Sequence, residues 1–183
     1  MRQWFLILGV PLLVGGALAL FRPQCAGRAL VAFPRNRIAG WILCAAGWFG
    51  TAYELDTIGI EVFDRYLKAF PGELWILAVV LTFLTCWWME NLLPIRGVAA
   101  IFMLFPAELF PVIRLEESSW RLALVVLAYV CAATGMFGMF YPWRIRQALA
   151  WMAEKPWRVA AAGAICLAYG ALLVLLGVVV PGA

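Results

Sequence analysis

Long apolar runs alternate with short polar segments along the whole chain of 183 residues. An α-helix needs roughly 17–25 apolar residues to cross the hydrocarbon core of a bilayer, and six runs come close to that length. They cover residues 4–21, 38–53, 74–93, 98–113, 122–141 and 159–180. The pattern therefore predicts an all-α integral membrane protein with six transmembrane helices, folded as a single transmembrane domain over residues 1–183.

Composition and charge agree with a bilayer as the solvent. Apolar residues make up 66% of the chain and the mean hydropathy is +0.95, whereas soluble domains are roughly 45–50% apolar. Short cytoplasmic loops retain Lys and Arg, and the first, third and fifth loops carry nine of them against five on the opposite side. We therefore expect a multi-pass protein of the bacterial inner membrane with both termini outside. The net charge of +4 calls for no nucleic-acid partner.

The two ends of the chain are similar in sequence. Phe21 and Pro23 match Phe140 and Pro142, and after the loop Arg37 and Ala39 match Arg158 and Ala160, at a separation of roughly 120 residues. On the predicted topology both hairpins cross the membrane in the same direction. We therefore predict parallel repeats over residues 4–53 and 122–180, with a central hairpin over residues 74–113 between them.

Each terminal hairpin also has a recurrent arrangement of residues. An apolar span is followed by Tyr141 and Pro142, a basic loop with Trp151, and then Pro156 and Arg158 before a span rich in small residues. Over about 50 residues at each end, this arrangement resembles the YjeT-like family of small bacterial inner-membrane proteins, whose function is unknown. The resemblance implies a membrane hairpin fold and no activity.

Two loop segments have the apolar and polar periodicity of an interfacial helix. Residues 57–70 place apolar side chains on one half of the helical wheel and a charge-balanced polar face on the other. The predicted interface surface consists of Ile58, Phe63, Tyr66, Phe70, Glu61 and Asp64. Its polar face fits a docking surface or plain solvation. The pattern along residues 142–155 predicts a second interfacial helix. A tight polar turn is the alternative.

Glu108 is the candidate ion or proton site. It lies between Pro106 and Pro111, which cannot donate the helical hydrogen bonds that the carbonyls of Phe102 and Ala107 would accept. We expect this helix to be broken by the prolines, with two free carbonyl oxygens near one carboxylate. The alternative is a structural Glu108, solvated by water at the mouth of a short helix.

Several kinds of chemistry lack the residues that they require. The chain has no histidine, serine occurs only at Ser118 and Ser119, and the five cysteines form no Cys-x-x-Cys pair. Imidazole catalysis and an intramembrane serine nucleophile are thereby excluded. We expect no catalytic residues, no cofactor and no metal.

The sequence therefore predicts a non-enzymatic membrane protein that serves as an accessory or scaffold subunit. Its expected partners are membrane lipid and either other membrane-protein subunits or further copies of the same chain. Small residues such as Gly16 and Gly163 would allow close helix contacts within the chain or with those partners. The alternative function is a small ion- or proton-coupled transporter or channel that uses Glu108.

Overall fold

Helices joined by short turns form the described part of the chain. A computed structural model describes residues 2–58, 72–89, 92–114 and 120–179, and no β-strand occurs within these ranges. A 3-10 turn, Phe33–Arg35, precedes the third helix. The helices are α1 (Arg2–Phe21), α2 (Pro23–Ala32), α3 (Arg37–Ile58), α4 (Glu73–Trp88), α5 (Leu93–Arg114), α6 (Arg121–Phe140), α7 (Pro142–Ala153) and α8 (Pro156–Val179).

Four of the described helices are long and apolar enough to cross a membrane. They are α1, α5, α6 and α8, while α4 is a shorter apolar helix of 16 residues. The predicted class, an all-α membrane protein, agrees with these lengths and compositions. The predicted count of six spans is not established by them, because α3 and α4 fall outside this set.

The helix boundaries follow the apolar runs closely at both ends of the chain. α1, α6 and α8 begin and end within three residues of the predicted runs. The third run, predicted to continue to residue 93, is instead divided between α4, which ends at Trp88, and α5, which begins at Leu93. Pro94 in the first turn of α5 suits a helix start, since its missing N–H would have no intrahelical acceptor there.

Two compact units divide the chain. Unit 1 comprises Met1–Ala32, Leu109–Ala128 and Arg146–Ala183, and unit 2 comprises Phe33–Glu108 and Tyr129–Ile145. Each unit gathers segments that are distant in sequence. A single transmembrane domain over the whole chain stays a prediction.

Unit 1 is built on direct backbone contact between α1 and α8. An added Cβ at Gly16 would lie 2.5 Å from the Leu167 nitrogen, and one at Gly170 would lie 2.5 Å from the Leu13 nitrogen. No side chain fits in either place, so only glycine permits this helix separation. Gly177 packs against Phe5. The two helices are therefore antiparallel, and the start of α1 lies beside the end of α8.

The outer faces of these helices are apolar. Val10, Val14 and Leu18 form an exposed stripe at helical spacing on α1, and Ile165, Leu172 and Leu175 are exposed on α8. Within the described ranges no polar or charged residue is fully buried. Exposed apolar surface of this extent is unusual for a soluble monomer and suits contact with lipid.

Short helices that begin at proline follow α1 and α6. Pro23 opens α2 and Pro142 opens α7, as expected for a residue whose φ is already helical. The predicted apolar face of α7 consists of Ile145, Ala148, Leu149 and Met152; all but Ala148, which is exposed, are half-buried. The segment is thus a helix of 12 residues, and the alternative of a tight turn is wrong.

A guanidinium closes the turn after α7. The Nη1 of Arg158 donates to the Trp151 carbonyl at 2.7 Å, and its Cζ lies 3.9 Å from the centroid of the Trp151 ring. Nη1 is also 3.3 Å from Oε2 of Glu154. These contacts satisfy a carbonyl at the end of α7 and set the path of the chain into α8.

Most of the predicted external amphipathic helix over residues 57–70 lies outside the described residues. Thr57 and Ile58 are described, and their backbone forms the last turn of α3 rather than the start of a separate helix. The start predicted at residue 57 is therefore wrong, because the helix of α3 continues through the polar residues Glu54 and Asp56 as far as Ile58. Glu61, Phe63, Asp64, Tyr66 and Phe70 are outside the described ranges.

Two adjacent glycines provide a matched test of the α1–α8 contact. Gly16→Ala should lower the free energy of unfolding by about 1–3 kcal/mol, because the new methyl group meets backbone atoms of α8. Gly15→Ala has nothing within 4 Å of the added Cβ and should be neutral or stabilise by up to about 1 kcal/mol. Thermal unfolding of both variants in mild detergent measures the difference. Equal stabilities would contradict the packing of α1 against α8.

Candidate functional site

The candidate site lies within unit 2, where α3 packs against α4. α4 turns a narrow strip of small residues inward, with Ala78 and Cys86 buried, while Leu77, Phe83 and Leu84 are exposed. Cys86 packs with Cys44 of α3 and Leu93 of α5 in one buried cluster. Thiols serve here as small apolar side chains, and they allow the two helices to lie close together.

A side-chain hydrogen bond joins α3 to α4. The Trp48 indole Nε1 donates to the Thr85 hydroxyl at 3.1 Å, and that hydroxyl donates to the Leu81 carbonyl at 2.6 Å. The indole N–H and the hydroxyl group both have hydrogen-bond partners, as a low-dielectric environment demands. The bond fixes the plane of the indole ring beside the space between the helices.

Glycines line the contact between α3 and α5, since an added Cβ at Gly47 or Gly50 would lie 3.1 or 3.0 Å from a side chain of α5, and the closest approach is at Gly97. A Cβ at Gly97 would lie 2.6 Å from Cβ of Leu43 and 3.0 Å from the Cys44 nitrogen. α5 therefore approaches the backbone of α3 directly at this position. The contact fixes the start of α5 against α3.

A cavity of about 520 Å³ remains beside this contact. Its volume is within the roughly 300–1,000 Å³ typical of small-molecule sites. Aliphatic, aromatic and sulfur-containing side chains form most of the wall. The lining includes Cys44, Trp48, Thr85, Met89, Arg96 and Ala100.

Arg96 is the one charged residue among those that line the cavity. Its Nη1 donates to Sδ of Met89 at 2.7 Å, and a thioether sulfur is a weak acceptor. Its Nε is buried and has no hydrogen-bond partner. The cavity is thus apolar along its wall and cationic at one position.

The turn before α5 places Arg96. Leu92 has a φ of 62°, a left-handed conformation that costs a non-glycine residue roughly 1–2 kcal/mol. Its carbonyl accepts from the nitrogens of Ile95 at 3.2 Å and Arg96 at 3.3 Å. Strained backbone of this kind often accompanies a functional site, and here it sets the first turn of α5 on which Arg96 stands.

Glu108 lies in a continuous helix. α5 runs without interruption from Leu93 to Arg114, through Pro106 and Pro111, so the predicted break in this helix is wrong. Each proline removes a single donor, and the flanking turns keep the segment helical. Phe102, Ala107 and Glu108 are exposed. These three residues therefore do not enclose the Glu108 carboxylate.

Glu54 is the acid that the structure adds to the Glu108 site. It follows the apolar run that ends at residue 53 and is half-buried. The carboxyl group of Glu54 lies close enough to Glu108 for their charges to interact. Its Oε1 is buried without a hydrogen-bond partner. The two carboxyl groups are therefore electrostatic neighbours within unit 2.

Metal ligation finds no support in the ranges that the structure describes. No group of three or more His, Cys, Asp or Glu side chains there could hold a metal ion. All five cysteines are free thiols, with Cys44 and Cys86 buried.

Sequence reasoning missed both Glu54 and the cavity around Arg96. The sequence positions of Glu54 and Arg96 indicate only a helix end and a charged loop. The residues that face them come from other helices, so the sequence alone does not show these contacts. A lone arginine between two apolar runs was the only signal of the cavity. The predicted surface residues of 57–70 are not tested, since all but Thr57 and Ile58 lie outside the described ranges.

No protein-family model, curated protein or solved structure matches this chain significantly. The resemblance of the terminal hairpins to the YjeT-like family stays a prediction.

Proposed function

We propose that this protein is a non-enzymatic, multi-pass membrane protein that acts as an accessory or scaffold subunit and holds a lipid molecule in unit 2. The observation that carries the proposal is the cavity of about 520 Å³, with an apolar wall and a guanidinium. An amphiphile has this same division between an apolar chain and a polar head. A small polar metabolite would need several converging polar groups. The polar groups among the lining residues are Arg96 and a few hydroxyl and indole groups.

The proposed membrane arrangement has six spans in the bacterial inner membrane, with both termini outside. The antiparallel contact of Phe5 with Gly177 supports termini on one side. α3, at 22 residues, is long enough for a fifth span, and α4, at 16 residues, for a short sixth. The order of a long, a short and a long helix in both α1–α3 and α6–α8 supports the proposed repeat.

Partner binding belongs to the same proposal. Apolar residues cover the outer faces of α1, α4 and α8, so these faces can contact lipid, helices of another subunit, or a second copy of the chain. A bound lipid would then be part of the surface that a scaffold presents. No nucleic-acid partner is needed to account for the charge.

Lipid retention tests the proposed function. A lipid held in the cavity should survive extensive detergent washing, so native mass spectrometry should show one lipid per chain. Leu84→Trp enlarges a side chain that lines the cavity and should reduce the retained lipid several-fold. Ala100→Phe fills the same space from α5 and provides a second, independent variant.

Val80→Trp is the matched control, because Val80 is exposed on α4 one turn before Leu84 and does not line the cavity. It should retain lipid as the wild type does. Thermal unfolding in the same detergent identifies any variant that is misfolded. A washed wild-type protein without lipid, or equal retention in all folded variants, would refute lipid binding in unit 2.

The second candidate function is a small ion- or proton-coupled transporter or channel. The observation that favours it is that Glu54 and Glu108 lie close enough within unit 2 for their charges to interact. Two neighbouring acids of which one is partly desolvated can exchange a proton or share a cation.

Glu108→Gln tests this candidate. The substitution removes one negative charge from the pair and keeps the size of the side chain. If the pair couples transport, the same variant should lose flux in proteoliposomes at near wild-type stability. Glu73→Gln, at an exposed acid in the first turn of α4, is the control. Normal flux in Glu108→Gln would eliminate the transporter hypothesis.

A further inference from the structure

We propose that the cavity of unit 2 is selective for anionic phospholipid, with Arg96 binding the phosphate headgroup and the apolar wall holding part of an acyl chain. This inference rests on the proposed lipid-binding function and adds the headgroup class. The cavity, the residues around it and the position of Arg96 all lie within unit 2.

The chemistry of Arg96 calls for an anion. A guanidinium has five N–H donors, and here one of its nitrogens donates to a sulfur while Nε is buried without a partner. No carboxylate of the described ranges forms an ion pair with it; Glu90 lies outside those ranges. A partly buried cation without a counter-charge is unfavourable, and a phosphate can accept two of its N–H groups at once.

The position of Arg96 fits a headgroup better than a soluble ion. It stands in the first turn of α5, where the helix dipole also favours negative charge. The remainder of the lining is mostly apolar, with Leu84, Leu93, Ala100 and Met139 among its members. A free phosphate would leave this surface uncovered, whereas an acyl chain attached to the phosphate would cover it.

A competition between two lipids tests the selectivity. The full chain is washed, incubated with equal amounts of phosphatidylglycerol and phosphatidylcholine that have identical acyl chains, and analysed by native mass spectrometry. One basic side chain near the membrane surface favours an anionic lipid by about five-fold, so the wild type should retain that excess of phosphatidylglycerol. Arg96→Gln should retain both lipids equally, and Arg96→Lys should keep part of the preference.

Arg144→Gln is the matched control for general attraction of anionic lipid. Arg144 is exposed on α7 and does not line the cavity, so its replacement should leave the ratio unchanged. Glycerol phosphate at millimolar concentration should not displace the bound lipid, because it lacks the acyl chain.

The outcomes separate the headgroup inference from the proposed function. Loss of preference with retained lipid in Arg96→Gln supports both. Lipid retained without preference in the wild type, an unchanged ratio in Arg96→Gln, or displacement by glycerol phosphate overturns the anionic-phospholipid inference. A wild-type protein that retains neither lipid overturns the proposed function together with the inference.

Discussion

Helices in a bilayer gain little from hiding apolar surface from one another, because lipid tails are equally apolar. Association must come from close packing and from a few interhelical hydrogen bonds. Gly16 and Gly170 meet this requirement in unit 1, where backbone atoms of the opposite helix occupy the space of a side chain. The antiparallel pair α1–α8 depends on this contact, and it places the start of α1 beside the end of α8 within unit 1.

Unit 2 also has close helix contacts at glycines, together with a space that its side chains do not fill. Gly97 brings α5 against the backbone of α3, yet a cavity of about 520 Å³ persists beside that contact. Leu84, Trp88 and Met89 of its wall are exposed, so the cavity opens to the outside of the helices. We propose that an amphiphile completes the packing there. Trp48 donates to Thr85, so these two polar side chains of the cavity wall are paired. The Nε of Arg96, in contrast, is buried without a hydrogen-bond partner.

The sequence predicted the helices better than it predicted their assembly. Hydropathy alone located α1, α6 and α8 to within three residues, because each is a long apolar run bounded by charge or proline. It joined Trp88 to Leu93 in one run, although the polar residues Glu90 and Asn91 lie between them. Leu92 has a positive φ, a conformation that a leucine in the sequence does not indicate.

The errors at the functional residues have a common physical origin. Pro106 and Pro111 suggested a broken helix, but α5 absorbs both prolines, since the loss of one hydrogen bond at each leaves the neighbouring turns intact. Glu54 and Glu108 are separated by more than 50 residues in sequence, so their mutual effect depends on helix packing that no local pattern contains. The same holds for the cavity, which is formed by residues of four helices.

Anomalous X-ray scattering from crystals grown with bromine-labelled phosphatidylglycerol tests the central claim most directly, because bromine on the acyl chain reports the position of the lipid itself. The account predicts bromine peaks inside the cavity of unit 2, beside Trp48 and Ala100, with the phosphate next to the guanidinium of Arg96. Bromine found only on the outer faces of the helices, with the cavity filled by protein side chains, would contradict it.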